Sequence, residues 1–127
     1  MSQSIARNAI HLIFSTKNRE PLLVPEVRAD LFGYMAGTLN AIECPAIRVG
    51  GVADHVHLLF ILSKNIALTQ AVRVVKQEAS KWAKGRIHPS FYWQTGYGAF
   101  SVSASMEDTV SGYIENQEKN HRLQTFQ

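Results

Sequence analysis

One cysteine, Cys44, is found among 127 residues. An intramolecular disulfide is therefore excluded, and so is a thiolate metal site, which needs several cysteines. No apolar stretch approaches the roughly 20 residues that a bilayer-spanning helix requires, so no membrane association is expected. The opening residues, Met1-Ser2-Gln3-Ser4-Ile5-Ala6-Arg7-Asn8, lack the long apolar region of a secretory signal, and a cytoplasmic location is expected. There is no internal repeat, no low-complexity segment and no shift in composition that would mark a linker. This length supports one sizeable core and leaves no room for a second, so a single domain over 1–127 is expected. Charge is nearly balanced, with a net of +3. Such mild basicity permits a polyanionic partner without requiring one.

What the chain does have is one strongly apolar run, Asp54-His55-Val56-His57-Leu58-Leu59-Phe60-Ile61-Leu62. Its branched and aromatic content predicts a buried strand. Side chains alternate faces along a strand, so His55 and His57 project side by side with Leu59 and Ile61. Val56, Leu58, Phe60 and Leu62 point the other way. Two adjacent imidazoles on a rigid strand can hold one divalent transition-metal ion. They can equally be surface or hydrogen-bonded core histidines, and both readings stay open on this pattern alone.

Around this run the other elements fall in order. Ala9 to Ser15 alternates as a strand, with His11, Ile13 and Ser15 on one face and Ile10, Leu12 and Phe14 on the other. The polar loop Thr16-Lys17-Asn18-Arg19-Glu20 follows; Lys17 and Arg19 are either solvated or available to clamp a phosphate. Pro25 and Glu26 open a helix, and Leu31, Phe32, Met35, Leu39 and Ile42 repeat at helical spacing. Cys44-Pro45 ends it. Ala46 to Val52 reads as a strand, with Gly50-Gly51 marking a bulge or a close backbone approach. Ala53-Asp54 turns it into the histidine strand, predicting an antiparallel hairpin.

Leu68 to about Lys84 is a second predicted helix, buried through Leu68, Val72, Val75, Ala79 and Trp82. Arg73, Lys76, Gln77, Ser80 and Lys84, with Lys81 beside them, form a basic face that is either solvated or able to track a nucleic-acid backbone. Phe91 to Phe100 interleaves aromatics with glycine, for core packing or for stacking on exposed bases. A last strand is expected near Ala99 to Ser103. Ser105-Met106-Glu107-Asp108 matches a helix-initiating capping box. In the helix that follows, Val110, Tyr113, Ile114 and Gln117 share one face. A glutamine on an inward stripe needs a partner, because burying an unpaired amide is costly; otherwise Tyr113 is core and Gln117 lies at the wet end. Gly112, just before Tyr113, weakens this helix by about 1 kcal/mol relative to alanine.

Four blocks in this order resemble the single-tyrosine HUH transposases, the small insertion-sequence transposases and the REP-associated tyrosine transposases. They are His11-Leu12-Ile13-Phe14-Ser15-Thr16-Lys17-Asn18-Arg19, Asp54-His55-Val56-His57-Leu58-Leu59, Trp93-Gln94-Thr95-Gly96-Tyr97-Gly98-Ala99-Phe100-Ser101-Val102-Ser103, and Tyr113-Ile114-Glu115-Asn116-Gln117. The long aromatic block favours the insertion-sequence branch. The resemblance implies a ferredoxin-like α+β fold: a βαββαβ antiparallel sheet with helices packed on it, plus a C-terminal helix carrying the nucleophile. It implies Tyr113 as nucleophile and His55, His57 and Gln117 as ligands of a magnesium or manganese ion. It implies a homodimer acting on single-stranded DNA with hairpin ends, through a covalent 5′-phosphotyrosine. Lys17, Arg19, Arg73, Lys76, Lys81 and Lys84 are the candidate DNA contacts. Two rival classes are a catalytically silent relative that only binds DNA hairpins, and an unrelated ferredoxin-like module for a small molecule.

Overall fold

The computed structural model describes residues 7–117; the start of the N-terminal segment read above for a signal, and both ends of the expected 1–127 domain, lie outside the described residues. The elements are β1 (Asn8–Ser15), α1 (Pro25–Ala41), β2 (Ala46–Gly51), β3 (His55–Leu62), α2 (Leu68–Arg86), β4 (Gly98–Val102) and α3 (Glu107–Glu115), with single 3₁₀ turns at Lys17–Arg19 and Ala104–Met106. The four strands form one sheet in the order β2-β3-β1-β4, and every neighbouring pair is antiparallel. This is the expected ferredoxin-like α+β fold with an added C-terminal helix.

Register assigns the faces. Ser15 lies opposite His55, Ile13 opposite His57 and His11 opposite Leu59, and residues paired directly across an antiparallel ladder share a face. The other face carries Ile10, Leu12 and Phe14 of β1 with Val56, Leu58 and Phe60 of β3. These six pack with Leu31, Met35 and Leu39 of α1 and with Ala71, Val72, Val75, Ala79 and Ala83 of α2 into one core. The two helices cover that face side by side, while α3 alone lies over the opposite face, against β2 and β3.

Local chemistry explains most boundaries. Pro25 occupies the first turn of α1 with Glu26 behind it; the missing proline N–H has no helical partner there anyway. Beyond its end, Glu43 takes a positive φ of 61° and the Cys44 amide donates to the Leu39 carbonyl. The register shift in β2 falls between Ala46 and Arg48, so the bulge is not at the glycine pair. Gly50 instead serves close approach: a Cβ there would lie 2.8 Å from Ile114 Cγ2 and 2.9 Å from the Ile114 carbonyl oxygen.

Two local expectations need correction. The capping box at Ser105 does not form: α3 begins at Glu107, and no side chain caps it. Ser105 sits inside the preceding 3₁₀ turn, two residues before the helix begins, and the Glu107 carboxylate pairs with Arg7. The buried stripe of α2 also differs from expectation. Ala71 and Ala83 are buried with Val72, Val75 and Ala79, whereas Leu68 and Trp82 are only partly buried. The small residues of α2 lie within the core, and the larger ones pack at its margin.

Candidate functional site

β3 presents His55 and His57 on the face covered by α3, with ring centroids 5.1 Å apart. On each ring Nδ1 is already engaged. His55 Nδ1 lies 2.7 Å from Asp54 Oδ1, and His57 Nδ1 lies 2.9 Å from His11 Nε2 on β1. Asp54 divides its carboxylate, since Arg19 Nε donates to its other oxygen at 3.1 Å. Burial pushes the Asp54 carboxyl up, but hydrogen bonds and charge from His55 and Arg19 outweigh it and hold the group below the ordinary carboxylate value. Burial first, and then the adjacent His11 and His55, push His57 down to about 4. Burial also lowers His11. All of this favours a neutral His57 at physiological pH, the form of imidazole that binds metals.

α3 supplies the facing side chains. Its apolar anchor, Ile114, is fully buried over the Gly50 notch. That contact turns Tyr113 toward the histidines: the phenol ring stands 5.8 Å from the His57 ring, nearly perpendicular to it. Tyr113 keeps 47% of its surface exposed, so it is not a core residue and its hydroxyl is within reach of a ligand. Gln117, one turn on, has only 7% exposure, so it is not at a wet end either. His55, His57, Tyr113 and Gln117 line one cleft of about 390 Å³, walled on its far side by Gln94 to Gly98.

Among the described residues three buried side-chain polar atoms have no hydrogen-bond partner, and two of them, His57 Nε2 and Gln117 Oε1, belong to this cleft. An orphaned buried polar group costs about 1–3 kcal/mol, so two on one cleft point to a missing partner there. Both atoms offer lone pairs, as does His55 Nε2 once Nδ1 carries its proton. Two imidazole nitrogens and an amide oxygen suit a divalent cation of intermediate softness, better matched to manganese than to magnesium. Among the described residues no cluster of three or more His, Cys, Asp or Glu side chains able to bind a metal is present, and the Gln117 amide is a side chain of another type that lies with the histidine pair in this cleft.

The proposed DNA contacts divide. Arg19 lines the cleft but is paired with Asp54. Lys76 donates to the carbonyls of Gln94 and Gly96 at 2.9 and 3.0 Å, and burial lowers its pKa. Its ammonium thus pins the cleft wall. Lys17 and Lys84 flank the exposed Tyr92 ring, at 6.0 and 4.1 Å from its centroid. Arg73 borders a groove with Lys76 and Tyr97, and Lys81 pairs on the surface with Glu78. The aromatic block divides: Phe91 and Trp93 pack edge-on in the core with Phe14, while Tyr92, Tyr97 and Phe100 are exposed. Sequence reasoning placed His11 on the correct face but gave it no role. Its contact with His57 depends on cross-strand register, which no local pattern encodes.

Comparison with known proteins agrees with this picture. No curated protein matches the chain. A solved structure of a Deinococcus radiodurans R1 protein assigned as a transposase is similar over 92% of this chain and 98% of its own, with a TM-score of 0.73 and 23% identity. A REP-associated tyrosine transposase, solved bound to a REP hairpin, is similar over 95% of this chain and 74% of its own, with a TM-score of 0.69 and 13% identity. At these identities the likeness establishes the fold. The sequence model of IS200-like transposases matches residues 4–117, nearly the whole chain, and on that match the protein belongs to the IS200-like transposase family.

Proposed function

We propose that this transposase acts as one domain over 1–127, cleaving and rejoining single-stranded DNA through a covalent 5′-phosphotyrosine on Tyr113. The observation that carries the reading is the meeting of a half-exposed phenol with two buried, partnerless lone-pair atoms, His57 Nε2 and Gln117 Oε1, in one cleft. His55, His57 and Gln117 would hold a magnesium or manganese ion. When bound, that ion supplies Lewis-acid polarisation of the scissile phosphate.

The chain's own residues do the rest. Tyr113 Oη forms a bond to phosphorus as its proton departs. The bond from phosphorus to the 3′ oxygen breaks, and that oxygen leaves with the electron pair and takes up a proton, giving a free 3′-hydroxyl. The phosphotyrosine keeps the bond energy for rejoining, so no nucleotide cofactor is needed. Ile114 seated on Gly50 sets the direction of the phenol. The exposed aromatics Tyr92 and Tyr97 offer stacking surfaces for unpaired bases, and Lys17, Lys84 and Arg73 beside them offer backbone contacts. Hairpin-bearing DNA as substrate is supported by the similarity to the hairpin-bound REP-associated enzyme, and a homodimer is the proposed assembly.

The test is incubation with a pool of hairpin-bearing single strands and manganese, read on a denaturing gel. A covalent protein–DNA band is expected with the wild type and not with Tyr113→Phe. Hairpin binding without any covalent band in the wild type would contradict strand transfer and leave a binding-only relative.

A further inference from the structure

His11 takes no part in the chemistry above, yet its Nε2 lies 2.9 Å from His57 Nδ1. β1 brings it there by register: His11 is opposite Leu59, one diagonal step from His57 on the same face. Its other neighbours on that face are apolar. Ile13 lies opposite His57, and the Phe100 ring stands 6.5 Å from the His11 ring. An aliphatic residue would fill this position on the sheet without an imidazole's cost of losing solvent.

Two imidazole nitrogens in one hydrogen bond share a single proton, so one donates and the other accepts. A neutral imidazole also has only one N–H. For His57 Nε2 to offer its lone pair to the cleft, the His57 proton has to sit on Nδ1. His11 Nε2 is then the acceptor, and the His11 proton sits on its own Nδ1. The opposite arrangement would place an N–H on His57 Nε2, a buried atom with no acceptor.

We propose that His11 is a positioning residue for His57: its unprotonated Nε2 accepts the His57 Nδ1–H, fixes the ring and its tautomer, and directs the Nε2 lone pair of His57 at a bound divalent cation. This rests on the metal reading given under Proposed function. The two histidines then have unlike supports. The Asp54 carboxylate, anchored by Arg19, holds His55, whereas a neutral imidazole holds His57. Outer partners of this kind set the orientation of a metal-binding histidine and its strength as a donor.

The test uses manganese alone as the probe. Uptake by the full chain is followed through loss of the free-ion electron paramagnetic resonance signal, for the wild type, His11→Leu and His11→Gln. Leucine removes the acceptor and is expected to weaken manganese binding about 10- to 100-fold. Glutamine can present its amide oxygen near the position of Nε2 and is expected to restore most of the affinity. In the metal-free wild type, ¹⁵N–¹H correlation of the imidazoles should find the His57 proton on Nδ1. Unchanged affinity in His11→Leu, or a His57 proton on Nε2, would overturn the role of His11. The second readout needs no variant, so a poorly folding leucine substitution does not shield the proposal. A wild type that takes up no manganese overturns the metal reading itself, and this role with it.

Discussion

Alternate residues of the same two central strands build two faces that are finished differently. On the face under α1 and α2, Leu12, Leu58 and Phe60 are fully buried among apolar neighbours. On the face under α3, His11, His55 and His57 replace them, and two buried atoms have no partner. A fully buried leucine or phenylalanine contributes about 1.5–3 kcal/mol, whereas each orphaned polar atom costs about 1–3 kcal/mol. The first face therefore stabilises the sheet that the second face partly destabilises. The rigid strand that holds two imidazoles in place does so because its other side is locked into a core. The covering elements differ in the same sense. Two long helices seal the apolar face, but nine-residue α3 rests on the other mainly through Ile114, which leaves room beside Tyr113 for a substrate.

Substitutions on one face should separate cleanly from those on the other. The largest effect is chemical: Tyr113→Phe should abolish the covalent adduct while changing unfolding free energy by less than about 0.5 kcal/mol, because the hydroxyl lies on an exposed side chain. A loss of stability of several kcal/mol would show that Tyr113 is structural. Next is the core face, where Leu58→Ala should cost about 2–5 kcal/mol in urea denaturation. Gly50→Ala joins the two faces, since its new Cβ would meet Ile114. It should cost about 1–3 kcal/mol and slow cleavage further by shifting Tyr113, as single-turnover rates would show.

Acid should act on the histidine face in particular. His57 is held near 4 in the folded chain against about 6.5 unfolded, so between those values the unfolded state binds more protons. The stabilising contribution of neutral His57 is complete above about 6.5 and is lost as pH falls toward 4, with a slope approaching about 1.4 kcal/mol per pH unit. The lowered His11 adds in the same direction. Urea midpoints of the metal-free protein across this range measure it, and His57→Leu should flatten the slope. The smallest effect concerns DNA affinity. Lys84→Ala should weaken binding to all sequences alike and reduce the salt slope by about one; an unchanged slope would remove Lys84 from the interface.

The sequence made some parts of this legible and hid others, along a physical division. Pro25 with Glu26, the alternation of β1 and β3 and the spacing of Val110, Tyr113 and Ile114 are local signals, and each corresponds to the element observed; Gln117 lies just past the end of α3 and still reaches the same cleft. That His55 and His57 share a face follows from the two-residue strand period alone. Most failures are non-local. The exception is Ser105: it matches a capping box as a string, with Asp108 as the acid, but lies in a 3₁₀ turn ahead of α3, whose start no side chain caps. Ala71 and Ala83 are too weakly hydrophobic to outrank Leu68 and Trp82 in a periodicity reading, although the core buries both. His11 was visible as a histidine on the correct face, but its partner is fixed by register between strands more than 40 residues apart. Lys76 looked like any other cation on a basic helix face, and only the fold shows two backbone carbonyls around its ammonium.

The central claim is that the phenol of α3 is the group that attacks DNA beside the histidine pair of β3. Digesting the covalent adduct and locating its 5′-phosphate by peptide mass spectrometry tests this most directly, because the chain has four tyrosines, at 34, 92, 97 and 113. The phosphate is expected on the peptide carrying Tyr113. Its recovery on Tyr34, Tyr92 or Tyr97 would contradict the account.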